Sequence, residues 1–435
     1  MEPLDFKTIA QISQGFTPQN EIAKRAAVRT GVLDASFNAD VKAKLNRTFS
    51  IEVKTGAVTN QKHSGRCWLF SLLNTLRHDF ATRYNVKDFE LSQAYLYFWD
   101  KIERANIFYD HMIETAGLPV DDRQVAFYLA GPGSDGGQWA MAAALVQKYG
   151  LVPSYAMPET FNTNDTAGFA AALNKQLRHD AIELRQLAQT GATDSALAAK
   201  KQALLAAIYR MTVIAVGEPT QTFDLEYRDD DQQYHLDENL TPQQFRDKYF
   251  TMNLDDYVVL TNSPDKALNK RYTLPSQNNI VGGKPIEFVN VAMPILIKGT
   301  IAQLKAGETV WFGNDVLEQM HRKEGLLDNH LYETDALFDV KSTMTKAQRL
   351  QYHEASVSHA MTLTGVDLIH DQPTKWRVEN SWGKDNGQAG YFVMNNGWFN
   401  EFVYEVVVNK QYVPAATLKL LTQPATVLPA WDSLA

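Results

Sequence analysis

The sequence predicts an α+β protein of two lobes, helical first and β-rich last, that meet at a cleft. Three observations carry this prediction. Leu69, Leu72, Leu73, Leu76 and Phe80 fall at helical spacings on one face of a run that begins at Cys67. From about 155 to 210 the chain is rich in Ala, Gln and Leu with the same period, as in Leu173–Leu177 and Leu204–Ile208. The last third instead carries short β-branched and aromatic runs separated by Gly and Asn, as antiparallel hairpins require. At 435 residues the chain exceeds the ~100–200 residues of one ordinary domain.

Taken in order, residues 1–50 form an N-terminal segment with a short helix around 20–28, and Phe49, Ile51 and Val53 alternate as in a strand. Residues 51–154 make the helical lobe. Its central helix runs from Cys67 to about Tyr84, and an aromatic helix follows over 92–103, where Tyr95, Tyr97, Phe98 and Trp99 read as core packing. The turn Gly131-Pro132-Gly133-Ser134-Asp135-Gly136-Gly137 then feeds a helix over 140–149. Its paired glycines permit close backbone approach, and no Gly-Lys-Ser/Thr follows to make it a phosphate loop. Residues 155–285 read as an insertion, helical and then strand-prone from Val213-Ile214-Ala215-Val216 onward. The β-rich lobe spans 286–420, with strands at 309–313, 359–366, 375–380, 390–394 and 402–408; residues 421–435 form a closing arm.

Composition narrows the function classes. Hydrophobic residues at 45% and charged residues at 21% describe a globular chain, and no run approaches the ~18 apolar residues of a membrane span. A net charge of −8 argues against a nucleic-acid partner, and Asp229-Asp230-Asp231 reads as a solvated loop. The single cysteine rules out intramolecular disulfides, and Met1 to Asp5 lacks the basic start of a signal peptide, so a cytoplasmic location is expected. His353, Glu354 and His359 miss the His-Glu-x-x-His spacing. Neither metal nor cofactor is expected.

Chemistry concentrates around that cysteine. A lone Cys is ordinarily a small hydrophobe, but Cys67 follows a Ser-Gly-Arg turn and opens a helix, with Gln61 upstream and Trp68 beside it. Unpaired N–H groups and the dipole at a helix start favour the thiolate, which is the nucleophile. A thiolate also needs a base, an orienter for that base and oxyanion donors. His359 opens an apolar strand, where a satisfied core histidine is the competing reading. Asn380 lies beside Trp382, an arrangement suited to fixing an imidazole tautomer in a shielded place.

Gln61, Cys67, His359 and Asn380, in that chain order, resemble the papain-type cysteine peptidases. Here Ser64-Gly65-Arg66-Cys67-Trp68 has Ser for the first Cys of the papain motif and Arg for its Ser/Ala. His359 and Asn380 also lie well beyond the ~130–150 residues that separate them from the Cys in papain. Both departures are similar to the bleomycin hydrolase and aminopeptidase C branch. So are Phe98-Trp99-Asp100-Lys101, Asp135-Gly136-Gly137-Gln138-Trp139, Glu379-Asn380-Ser381-Trp382-Gly383 and Leu428-Pro429-Ala430-Trp431-Asp432.

The resemblance implies a papain-like two-lobed fold with large helical insertions and a β-barrel-like second lobe. It implies Cys67 as nucleophile, His359 as base and then acid, Asn380 as orienter, and Gln61 as oxyanion donor. Gly136 and Gly137 match the glycines along which a substrate backbone lies. It further implies a homohexamer acting on peptides, with the C-terminal carboxylate at Ala435 receiving the substrate amine, hence a cysteine-type aminopeptidase. The arm here, Trp431-Asp432-Ser433-Leu434-Ala435, is shorter than in bacterial members. An oligoendopeptidase with an open cleft is therefore the alternative.

Overall fold

A computed structural model of the chain describes residues 3–434. The central helix spans Cys67–Tyr84 and stops at Asn85, whose φ of 54° is left-handed. Trp68, Leu69, Leu72, Leu73, Leu76 and Phe80 are all buried in the larger core. This helix packs on Gln93–Glu114 and Trp139–Tyr149 on one side and on the His359–Ile369 strand on the other. The aromatic helix extends past the expected 103 to Glu114 and is capped by Ser92, whose side chain accepts from the Tyr95 N–H.

Two long helices, Ala167–Gln189 and Asp194–Val216, lean on the aromatic helix. Val213-Ile214-Ala215-Val216 is thus the last turn of a helix and not the strand its β-branched residues predict. Ile208, Thr212 and Val216, spaced four apart, bury one face of that helix. Tertiary packing there overrides a local propensity worth only tenths of a kcal/mol per residue, about 0.7 at most. The acidic run 229–231 turns a separate hairpin of Phe223–Arg228 and Tyr234–Leu240.

Among the described residues, the remaining strands form one twelve-stranded sheet. Its centre runs Tyr257–Thr261, Val403–Asn409, Val310–Asn314, His359–Ile369, Gln372–Glu379 and Tyr391–Asn395. The first of these strands precedes residue 285, so the sheet draws on chain from both sides of that point. Of the expected Phe49–Val53 strand only Ile51–Glu52 forms, pairing with Val366 and Gly365. Side chains alternate across the sheet. Val310, Phe312, Met361, Leu363, Val406 and Val408 fill a second core behind it, whereas Trp311, Ala360 and Val407 face the helical lobe. The cleft lies where that second face meets the first turn of the central helix. Among the described residues, no helix is long and apolar enough to cross a membrane.

Candidate active site

The loop before the central helix is held by Arg66, which is fully buried. Its guanidinium forms a fork with Glu159, at 3.0 and 2.7 Å, and donates to the Thr163 carbonyl at 2.6 Å. The insertion thereby braces the turn that presents Cys67. Arg66 stands where the papain motif has a small residue, and the sequence alone offered no partner for it.

Cys67 is the first helical residue, and Sγ faces the N–H groups of Ala360, Trp68 and Cys67 itself. The Ala360 contact brings the strand that starts at His359 up against the thiol. His359 is buried, with Nε2 3.0 Å from the Asn380 Oδ1. The Trp382 ring lies 4.9 Å from the imidazole, tilted at 33°, and Arg322 sits 4.3 Å from the indole. Gln61 is equally fixed: its N–H donates to the Ser381 carbonyl at 2.8 Å, Oε1 accepts from Ser381 Oγ at 2.7 Å, and Nε2 donates to the Ser64 carbonyl at 2.6 Å. An amide nitrogen carries two hydrogens, so Gln61 retains one for a further acceptor.

The electrostatics differ from the expectation of a helix-start thiolate. Burial pushes the Cys67 thiol up, and the three N–H groups offset this only in part. Burial likewise pushes the His359 imidazole down to about 4; the Asn380 bond opposes this and Arg322 adds to it. Each charge taken alone is penalised for the same reason, loss of water. Opposite charges formed together would each offset the other's desolvation, which neither group obtains alone. The helix start contributes donors, but they do not outweigh the burial of the thiol.

The glycine turn faces this pair across the cleft. Trp68 Nε1 donates to the Asp135 carbonyl at 2.7 Å, and a Cβ at Gly137 would fall 2.6 Å from the Trp68 ring. Gly137 is therefore required for packing on the indole. A Cβ at Gly136 would meet nothing within 4 Å, so that position borders open cleft. Beneath the turn, buried Lys101 donates to the Ser134 carbonyl at 2.7 Å and pairs with Asp135 at 3.0 Å. Burial would raise the Asp135 carboxyl, but Lys101 and hydrogen bonds from Thr166 and Gly65 bring it to about 2. The aromatic helix thus packs its rings and also carries the cation that shapes the turn.

Behind Asn380, Glu379 is buried between two residues of the central helix. Arg77 donates to Oε1 and His78 Nε2 meets Oε2, each at 2.6 Å. This knot ties the end of the Asn380 strand to the helix that carries Cys67. The sequence shows Glu379 only within the stretch Glu379-Asn380-Ser381-Trp382-Gly383, with no partner for its charge.

The cleft, about 1260 Å³, holds Gln61, Cys67, Gly136, Gly137, His359 and Trp382 together. It exceeds the ~300–1,000 Å³ of ordinary small-ligand pockets. The C-terminal arm enters it. Arg123 stacks 4.1 Å from the Trp431 ring, Lys266 pairs with Asp432 at 2.9 Å, Ser433 donates to Asp265 at 2.8 Å, and Gln138 donates to the Leu434 carbonyl at 3.2 Å. Leu434 is buried, whereas Ala435, the residue expected to meet the substrate amine, lies outside the described residues.

A model of the Peptidase C1-like family matches residues 3–435. The chain is 56% identical over 419 residues to Aminopeptidase E of Lactobacillus helveticus, covering 96% of this chain and 95% of that protein. It is 54% identical over 434 residues to Aminopeptidase G of Lactobacillus delbrueckii subsp. lactis, covering 99% of both. The crystal structure of PepW from Lactobacillus rhamnosis superposes with a TM-score of 0.98 at 46% identity, over 99% of this chain and 98% of that one.

Proposed function

From the premise that the chain belongs to the Peptidase C1-like family, we propose that Cys67, His359, Asn380 and Gln61 carry out its reaction. That reaction is cysteine-type aminopeptidase hydrolysis, the activity for which its relatives are named. The Cys67 thiol passes its proton to His359, and the thiolate attacks the carbonyl of the substrate's first peptide bond. The remaining hydrogen of Gln61 Nε2 and the Cys67 N–H, which has no acceptor within the helix, receive the oxyanion. His359 then protonates the leaving amine, and water, activated by the same imidazole, releases the acyl group. Asn380 keeps Nε2 engaged, so the other ring nitrogen is the one that exchanges protons with sulfur. Gly136 and Gly137 lie along the peptide backbone.

The observation that carries the exopeptidase reading is the arm, pinned by Arg123, Lys266, Asp265 and Gln138 in the cleft that holds Cys67. Short as it is, it spans from the Trp431 contact to a buried Leu434. This supports an aminopeptidase over an oligoendopeptidase, because extended substrate has no room on the side the arm fills. Deleting residues 431–435 is expected to confer cleavage of N-acetylated peptides that the full chain leaves intact. The readout is kcat/KM on an acetylated and a free-amine form of one peptide. Acetylated peptide cleaved equally well by the full chain would sink the reading.

Assembly into a homohexamer is part of the same proposal. Helices Phe6–Ile12 and Pro18–Thr30 contribute no buried residue. They and the turn between them leave Phe6, Ile12, Phe16, Ile22 and Val28 exposed, and apolar surface of this kind marks an interaction site. Light scattering is expected to give six chains per particle, and a stable monomer at micromolar concentration would contradict it. A single unpaired thiol at the reaction centre suits a reducing, cytoplasmic setting.

A further inference from the structure

The cleft holds a buried carboxyl group for which the mechanism has no use. Glu405 lines it from the Val403–Asn409 strand and is 2% exposed. The sheet register sets Ala360, Gly313 and Glu405 directly opposite one another on three adjacent strands, facing the helical lobe. Glu405 is therefore two strand spacings, roughly 10 Å, from Ala360, whose N–H faces Cys67 Sγ. Its carboxylate leans further toward the site. Oε2 lies 3.2 Å from where a Cβ at Gly313 would be, so the missing side chain makes its room.

Among the described residues, nothing bonds to this carboxylate. Burial acts on it unopposed and pushes it up to about 8. Of the cations that line the cleft, Arg104 pairs with Asp100 at 2.7 Å and Arg322 lies on the Trp382 face, and neither these nor Lys62 forms an ion pair with Glu405. A buried carboxylate without a partner destabilises the fold that holds it. One that opens on a substrate cleft keeps its proton until substrate brings a cation, then releases that proton to solvent and pairs with the cation.

We propose that Glu405 binds a cationic group of the substrate, its α-ammonium or the basic side chain of its N-terminal residue. This rests on the aminopeptidase reading, since both cations are then carried by the residue being released. A site built to pair a charge discriminates strongly against a ligand that lacks it.

The test compares wild type, Glu405→Gln and Gly313→Ala on p-nitroanilides of Lys, Arg, Leu and Met, with the rate of Cys67 alkylation by neutral iodoacetamide as a second measurement. Glu405→Gln keeps the shape of the side chain and removes its charge. Gly313→Ala keeps the charge and displaces it. Both are expected to raise KM by roughly 10- to 100-fold, the worth of a hydrogen bond to a charged group, with a much smaller change in kcat and in alkylation rate. A rise confined to Lys and Arg substrates identifies the side chain as the ligand; an equal rise on all four identifies the α-ammonium. Unchanged KM in folded variants, or alkylation slowed in step with KM, overturns the proposal. If wild type cleaves none of the four substrates, the aminopeptidase reading fails instead.

Discussion

Cys67→Ala is expected to lower kcat/KM by about 10⁴-fold or more, the scale on which a covalent nucleophile acts when its partners remain in place. The fold should be unaffected. The side chain sits at the first turn of a helix whose burial depends on Trp68, Leu69, Leu72, Leu73 and Leu76, and removing one sulfur beside an open cleft leaves no closed cavity. The thermal midpoint should therefore stay within a few degrees of wild type while peptide hydrolysis disappears. Activity retained at even a tenth of wild type would remove Cys67 from the mechanism. His359→Ala would not be equivalent, since it also opens space beneath Trp382.

The second large effect concerns Glu379, which never touches substrate. Glu379→Gln leaves the Arg77 guanidinium in a dry interior without its counter-charge, and breaking a buried pair in this way costs about 3–5 kcal/mol. The urea midpoint should fall accordingly, and kcat with it, because Asn380 is the next residue and takes its position from the same strand end. A pH dependence follows. Burial would raise the Glu379 carboxyl, but His78 and Arg77 together hold it at about 2, below its ordinary value of 4.5. A carboxyl lowered in the folded state lends stability that is complete above 4.5 and is lost as pH falls toward 2. Wild type should therefore lose stability over that window more steeply than Glu379→Gln. Superimposable acid-unfolding curves for the two proteins would contradict the role of this knot.

Both variants act on the central helix, one at its first residue and one at Arg77 and His78, yet the sequence shows them unequally. The bounds of the central helix follow from local rules: a Ser-Gly-Arg turn, an apolar stripe at period 3.6, and an Asn able to adopt the left-handed conformation. Cys67, Gln61, His359 and Asn380 could be picked out because nucleophile, donor, base and orienter are a demand of the chemistry, and the residues around them carry a family resemblance. Glu379 could not be, since its meaning lies in Arg77 and His78, some three hundred residues upstream.

The same division runs through the remaining features. Sequence by itself determined the α+β class with its helical and β-rich lobes and supplied the candidates for a reaction centre, because periodicity and side-chain chemistry are properties of short stretches. Tertiary structure decided the rest. It made Val213–Val216 helical through burial of Ile208, Thr212 and Val216. It separated the two glycines, assigning Gly137 to the Trp68 ring and Gly136 to the open cleft. It reversed the expected direction for the Cys67 thiol, because desolvation there outweighs three backbone donors. It also left Glu405 buried without a partner, which no local pattern announces. In each case the deciding quantity is what surrounds an atom, and that is assembled only when distant segments pack against one another.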